Sequence, residues 1–171
     1  MFFMKGLSIL FTWKEIINIA IRIENNGEQI YRQAARKIAN PDLSAALIHM
    51  ADEEARHAKW FSTLPLPDTI DEKNSDIDKM SRIFIHDAMA DKALSLEAAD
   101  LTTLENVREL IHTSIEFEQD TILFFEMIRQ FVTEETSMAL IDTIIAEEKK
   151  HITTLEDWIQ SDHVFTLTRV Q

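Results

Sequence analysis

The sequence predicts an all-α fold, one four-helix bundle. Glycine occurs only twice and proline three times in 171 residues, so stretches rich in Ala, Leu, Ile, Glu, Lys and Gln run on without helix breakers. Apolar residues recur at steps of three and four, the period of a helix with one buried face. With 46% hydrophobic content, a chain of this length has the size of a single domain, 1–171, around one core.

Thr12 and Glu15 form a capping-box pattern. Ile16, Ala20, Ile23, Gly27, Ile30, Ala34 and Ile38 then mark a first helix over about 13–39. Asn40 followed by Pro41 reads as a cap and first helical residue, and Leu43, Leu47, Met50, Phe61 and Leu64 carry a second helix over about 41–64. Pro65 and Pro67 stop it. Residues 65–102 form a connection far longer than the roughly two to eight residues usual between bundle helices, with a helical pattern of its own from Ile77 to Leu94. A link of that length lets the third bundle helix run parallel to the second. Thr102 with Glu105 reads as another capping box, opening a third helix over about 103–132 with Leu104, Val107, Ile111, Ser114, Thr121 and Phe125 on its stripe. A fourth helix follows over about 134–159, with Ile141, Ile144, Leu155 and Trp158 inward. Trp60, Phe61, Phe124, Phe125 and Met127 are expected in the core.

The formal net charge of -13 repels phosphate backbones and anionic lipid, which argues against nucleic-acid and membrane partners, and it attracts cations. The absence of cysteine excludes disulfides, zinc-thiolate sites, iron-sulfur clusters and a rubredoxin-type iron centre in this chain, so an electron donor must be a separate molecule. The apolar start, Met1 to Trp13, is broken by Lys5 and Gly6 and is shorter than the ~20 residues a membrane helix needs. The expectation is an ordered, cytoplasmic N-terminus packed on the bundle.

Polar residues inside these apolar stripes carry the chemistry. Glu24 falls in register with Ala20, Gly27 and Tyr31 on the first helix, and Glu54 and His57 stand where the second helix wants Leu. Glu118 lies between Ser114 and Thr121 on the third, and Glu148 and His151 interrupt the stripe of the fourth. Four buried carboxylates and two imidazoles are costly without compensation, and no Lys or Arg lies in these stripes. Two divalent cations from outside would match the four charges, and mixed carboxylate and imidazole ligation suits iron, with manganese as the alternative.

An internal repeat supports this grouping. Adding 94 to a position in the first hairpin maps Glu24 on Glu118, Glu53 and Glu54 on Glu147 and Glu148, and His57 on His151. Over residues 20–64 against 114–158, the other identities are only Ile21 with Ile115 and Ala45 with Ala139. Each hairpin thus gives one lone Glu and one Glu-x-x-His. The same spacing in Glu109 and His112 falls off the buried stripe and serves as an internal control.

The segments AIRIENNGEQIYRQAA, ADEEARHAKWF, SIEFEQDTILFFEMI and AEEKKHITTL resemble those of ferritin-like di-iron carboxylate proteins, and among them the rubrerythrins. The resemblance implies a ferritin-like four-helix bundle with a long crossover between the second and third helices. It implies that Glu54 and Glu148 bridge two metal ions, Glu24 and His57 completing one and Glu118 and His151 the other. Rubrerythrins carry a further glutamate where this chain has Thr121, so peroxide turnover should be slower here, and the six-ligand set is nearer that of bacterioferritin. Ala55 follows Glu54 where bacterioferritin has its haem-ligating methionine, so haem is not implied. Glu53 and Glu147 are candidates to hydrogen-bond the opposite hairpin's histidine. Tyr31 either bonds a ligand or fills the core with its hydroxyl satisfied.

The function expected is a di-iron oxidoreductase acting on dioxygen or hydrogen peroxide, in a homo-oligomer, a dimer by preference. The alternatives are ferroxidation with iron storage in a cage, and a structural helical protein with a vestigial site.

Overall fold

A computed structural model describes residues 12–64, 99–130, 132 and 134–160. Among these residues the chain is all-helical, as expected, with four long helices and no strand. Residues 1–11 of the N-terminal apolar segment, the helical pattern of Ile77 to Leu94 and the C-terminal tail lie outside the described residues. No described helix is long and apolar enough to cross a membrane.

Helix α1, Trp13–Ala35, opens on the predicted capping box: Glu15 N donates to Thr12 Oγ1 at 3.2 Å and Thr12 N donates to Glu15 Oε2 at 2.9 Å. It closes at Ala35 rather than near 39, with Arg36 as its C-cap. Asn40 must be extended to precede Pro41, and its side-chain oxygen accepts from Asp42 N and Leu43 N to start helix α2, Pro41–Ser62. The third start differs more. Thr102 lies in a 3-10 turn, Leu101–Thr103, whose cap is Asp100. Asn106 caps helix α3, Val107–Arg129, by accepting from Glu109 N at 3.0 Å. Helix α4, Glu135–Gln160, begins after Glu134, whose carboxylate accepts from Thr136 N and Ser137 N.

The directions of the helices follow from which residues meet. Arg32 on α1 pairs with Asp52 on α2, and Glu24 meets His57, so α1 and α2 are antiparallel. Tyr31, late in α1, reaches Ser114, early in α3, so these two are also antiparallel. His57 meets His151 and His49 meets Trp158, which sets α2 against α4 in opposite directions. Helices α2 and α3 therefore run parallel. This is the single-crossover topology the long connection between them permits.

Each hairpin is also pinned at its surface. Arg32 links Glu28 and Asp52, and Arg129 grips Asp142 through two nitrogens at 2.6 and 3.0 Å. Tyr31, Phe61 and Phe125 are the largest wholly buried side chains, among Ile16, Ile23, Leu47, Leu110, Ile111 and their neighbours. Trp60 and Met127 are corrections to the expected core, being 36% and 37% exposed. Each precedes or follows a true stripe position by one or two residues, which turns it by roughly 100° or more away from the core.

Candidate metal centre

All six predicted residues are interior: Glu148 is 0% exposed, Glu54 and Glu118 1%, Glu24 2%, His151 6% and His57 8%. They come from four helices and converge. His57 Nδ1 lies 3.4 Å from Glu24 Oε2, and His151 Nδ1 lies 2.7 Å from Glu118 Oε1. The two imidazoles meet edge to face with centroids 4.6 Å apart.

Three overlapping groups have one ligand atom from each member within 4.8 Å of the others: Glu24, Glu54 and His57; Glu54, Glu118 and His151; and His57, Glu148 and His151. Glu54 is common to a group in each half, and Glu148 stands with both histidines. This is the arrangement two cations sharing carboxylates would use.

The donor atoms pass a direct test of fit. Buried polar atoms are almost always hydrogen-bonded. Here Glu24 Oε2, both oxygens of Glu54 and of Glu148, Glu118 Oε1, His57 Nδ1 and both ring nitrogens of His151 are buried without a hydrogen-bond partner. All six residues thus present uncommitted lone pairs to one another, and cations satisfy lone pairs without supplying a proton. His151 Nδ1 and Glu118 Oε1, though close, are not aligned as donor and acceptor.

The electrostatics of the metal-free chain agree. Burial first, and neighbouring carboxylates second, hold the Glu24, Glu54 and Glu148 carboxyls well above the usual range. Burial, aided by His151, lowers His57 to about 4, leaving a neutral ring able to ligate. Burial also works against charge on His151, but the adjacent Glu118 carboxylate prevails and raises it.

The flanking residues divide differently. Glu53 forms an ion pair with Arg56 and sits 3.5 Å from His49 Nε2, all on its own helix. It does not reach across the bundle, since both nitrogens of His151 lack a partner. Glu147 bonds Lys150 at 3.0 Å, although its charge is felt at His57. Tyr31 donates to Ser114 Oγ at 2.8 Å, and Ser114 donates to Leu110 O, so its hydroxyl is satisfied by protein and not by a carboxylate of the cluster. The control pair behaves as surface. His112 is exposed, and Glu109 reaches back to Glu105 N and Asn106 Nδ2 at the helix start.

Sequence reasoning passed over the role of Gly27. A Cβ there would lie 3.3 Å from Glu54 Cγ and 3.6 Å from Glu54 Oε2, so the missing side chain is what lets the carboxylate lie close against α1. Its signal was available, a glycine inside a helix and on the buried stripe.

A single-crossover bundle of four helices enclosing a carboxylate and imidazole cluster built from two repeated hairpins defines the ferritin-like di-metal class. A family model described as Rubrerythrin matches residues 15–159, which reaches from the first turn of α1 to the last turn of α4. The chain belongs to the rubrerythrin family. No curated protein and no solved structure matches it.

Proposed function

We propose that this protein is a di-iron oxidoreductase whose substrate is dioxygen or hydrogen peroxide. The observation that supports it most is the set of buried lone pairs on Glu24, Glu54, His57, Glu118, Glu148 and His151, without hydrogen-bond partners and facing one another. Glu54 and Glu148 would be held in common, Glu24 with His57 would hold one ion, and Glu118 with His151 would hold the other. Two ferrous ions held there would supply two electrons, the number that takes dioxygen to hydrogen peroxide or hydrogen peroxide to water.

The chain's own part is to hold and shield. Neutral His57 and deprotonated carboxylates offer lone pairs, and protons leave the raised carboxyls as cations enter. The apolar stripes around the cluster keep bulk water out, and Tyr31 closes the α1 to α3 side through Ser114. The same reading takes the chain as a homo-oligomer, a dimer by preference, supplied by a separate electron donor.

The test is elemental analysis of protein purified without chelators, followed by anaerobic ferrous titration. Two ions per chain with a raised melting temperature are expected. One ion or none per chain would sink the proposal.

A further inference from the structure

Thr121 stands apart from the other hydroxyl residues of the bundle. Thr143, Thr153 and Thr154 turn their hydroxyls onto the carbonyl four residues back, at 2.8 to 3.0 Å, and Ser114 does the same to Leu110 O. Thr121 is 1% exposed, and its Oγ1 is buried with no partner. A hydroxyl in that state costs stability, and valine would fill the same volume without the cost. Its place on α3 needs another explanation.

The repeat gives Thr121 a counterpart in the first hairpin. Adding 94 to Gly27 gives Thr121. At Gly27 a Cβ would point at the Glu54 carboxyl, with Glu54 Cδ 3.4 Å away. By the same correspondence Thr121 takes the place facing Glu148, the copy of Glu54, with a side chain where the first hairpin has only a hydrogen. Thr121 also lies one turn beyond Glu118 on the same buried stripe. The remaining unpartnered groups differ: the six ligand candidates offer lone pairs to cations, Trp13 begins α1, and His49 is two turns before His57. The Tyr31 hydroxyl is already given to Ser114.

We propose that the Thr121 hydroxyl donates a hydrogen bond to a small oxygen or anionic ligand entering the centre, holding it on the Glu118 and Glu148 side. The proposal rests on the di-iron reading, and deepens it by making the two halves of the repeat unequal: Gly27 leaves room, and Thr121 supplies a donor. A glutamate at this position would compete for the metals. A threonine can only address what comes to them.

Azide, a small anion that accepts hydrogen bonds, is the probe, titrated optically into the iron-loaded, oxidised full-length protein. Wild type, Thr121→Val and Thr121→Ser are compared after elemental analysis of each. Thr121→Val should bind azide about five- to tenfold more weakly at unchanged metal content, the effect of one lost hydrogen bond. Thr121→Ser should stay within about twofold of wild type by the same reasoning. Equal azide affinity in wild type and Thr121→Val, with metal loaded in both, overturns the proposal and leaves the di-iron reading intact. Failure of the wild type to load iron overturns the di-iron reading instead. The metal-free proteins give a second measurement. Thr121→Val should melt no lower than wild type, because no bond is lost, and a clear drop in its melting temperature would show a hydroxyl already bonded within the protein and overturn the proposal from that side.

Discussion

Gly27 is three residues past Glu24, and the hydrogen it carries in place of a side chain decides how Glu54 can lie. Glycine inside a helix costs about 1 kcal/mol relative to alanine. Gly27→Ala should therefore leave the metal-free protein as stable or stabilise it, while pushing at Glu54 Cγ from 3.3 Å and weakening metal binding. Parallel melting curves with and without ferrous iron test this. A variant losing stability to the same extent in both states would show that the contact matters for packing alone. The histidines give a sharper contrast. His57→Ala and His151→Ala each remove a buried candidate ligand and should cost at least about tenfold in metal affinity, whereas exposed His112→Ala should leave affinity unchanged, because losing even an outer partner of a ligand costs about 10–100-fold. Competition titration against a metallochromic chelator measures all three. An effect at His112 equal to the others would mean that spacing and not burial selects the ligands.

The helices themselves were largely legible. The period of three and four placed the buried faces of all four, because polar residues that break such a stripe are rare unless something compensates them. The starts of α1 and α2 were legible too, since Thr12 with Glu15 and Asn40 with Pro41 are local signals that nothing distant disputes. The start of α3 was not, because two capping patterns occur within four residues. Thr102 with Glu105 matches the pattern, but Asp100 binds Thr102 N and its hydroxyl and commits them to the 3-10 turn. Asn106 with Glu109 then does the capping. Asn106→Ala should accordingly destabilise the fold by about 1 kcal/mol, and Thr102→Ala by distinctly less. Equilibrium urea unfolding of the two variants decides between them. Equal losses would return the helix start to Thr102. The partners of Glu53 and Glu147 were illegible for a different reason. Sequence places a carboxylate on a face, but whether it turns across the bundle or back to Arg56 or Lys150 on its own helix depends on rotamers.

At the scale of the whole molecule, the repeated hairpin brings four carboxylates into one interior, and the protein's stability must then depend on pH in a way that metal reverses. In the metal-free chain the Glu24, Glu54 and Glu148 carboxyls are raised, so they are protonated in the fold at pH values where the unfolded chain has already ionised. Their contribution to stability is complete below the unfolded value of 4.5 and is lost as pH rises through the folded values. Raised His151 acts in the same direction from its ordinary 6.5 upward. His57 opposes them, since a ring lowered to about 4 stabilises the fold above 6.5 and loses that contribution as pH falls toward 4. Three carboxyls and His151 outweigh His57 and half-buried His49, which burial also lowers, and make the metal-free protein less stable as pH rises through neutrality. In the loaded protein, cations replace the protons, and competition from protons fades as pH rises, so metal binding tightens over the same range. The gap in melting temperature between loaded and metal-free protein should therefore widen steadily from about pH 5.5 to about pH 8. Calorimetry at matched ionic strength measures it. A gap that stays constant across that range would mean that the cluster binds cations without releasing protons, and that its carboxyls are already ionised in the empty fold.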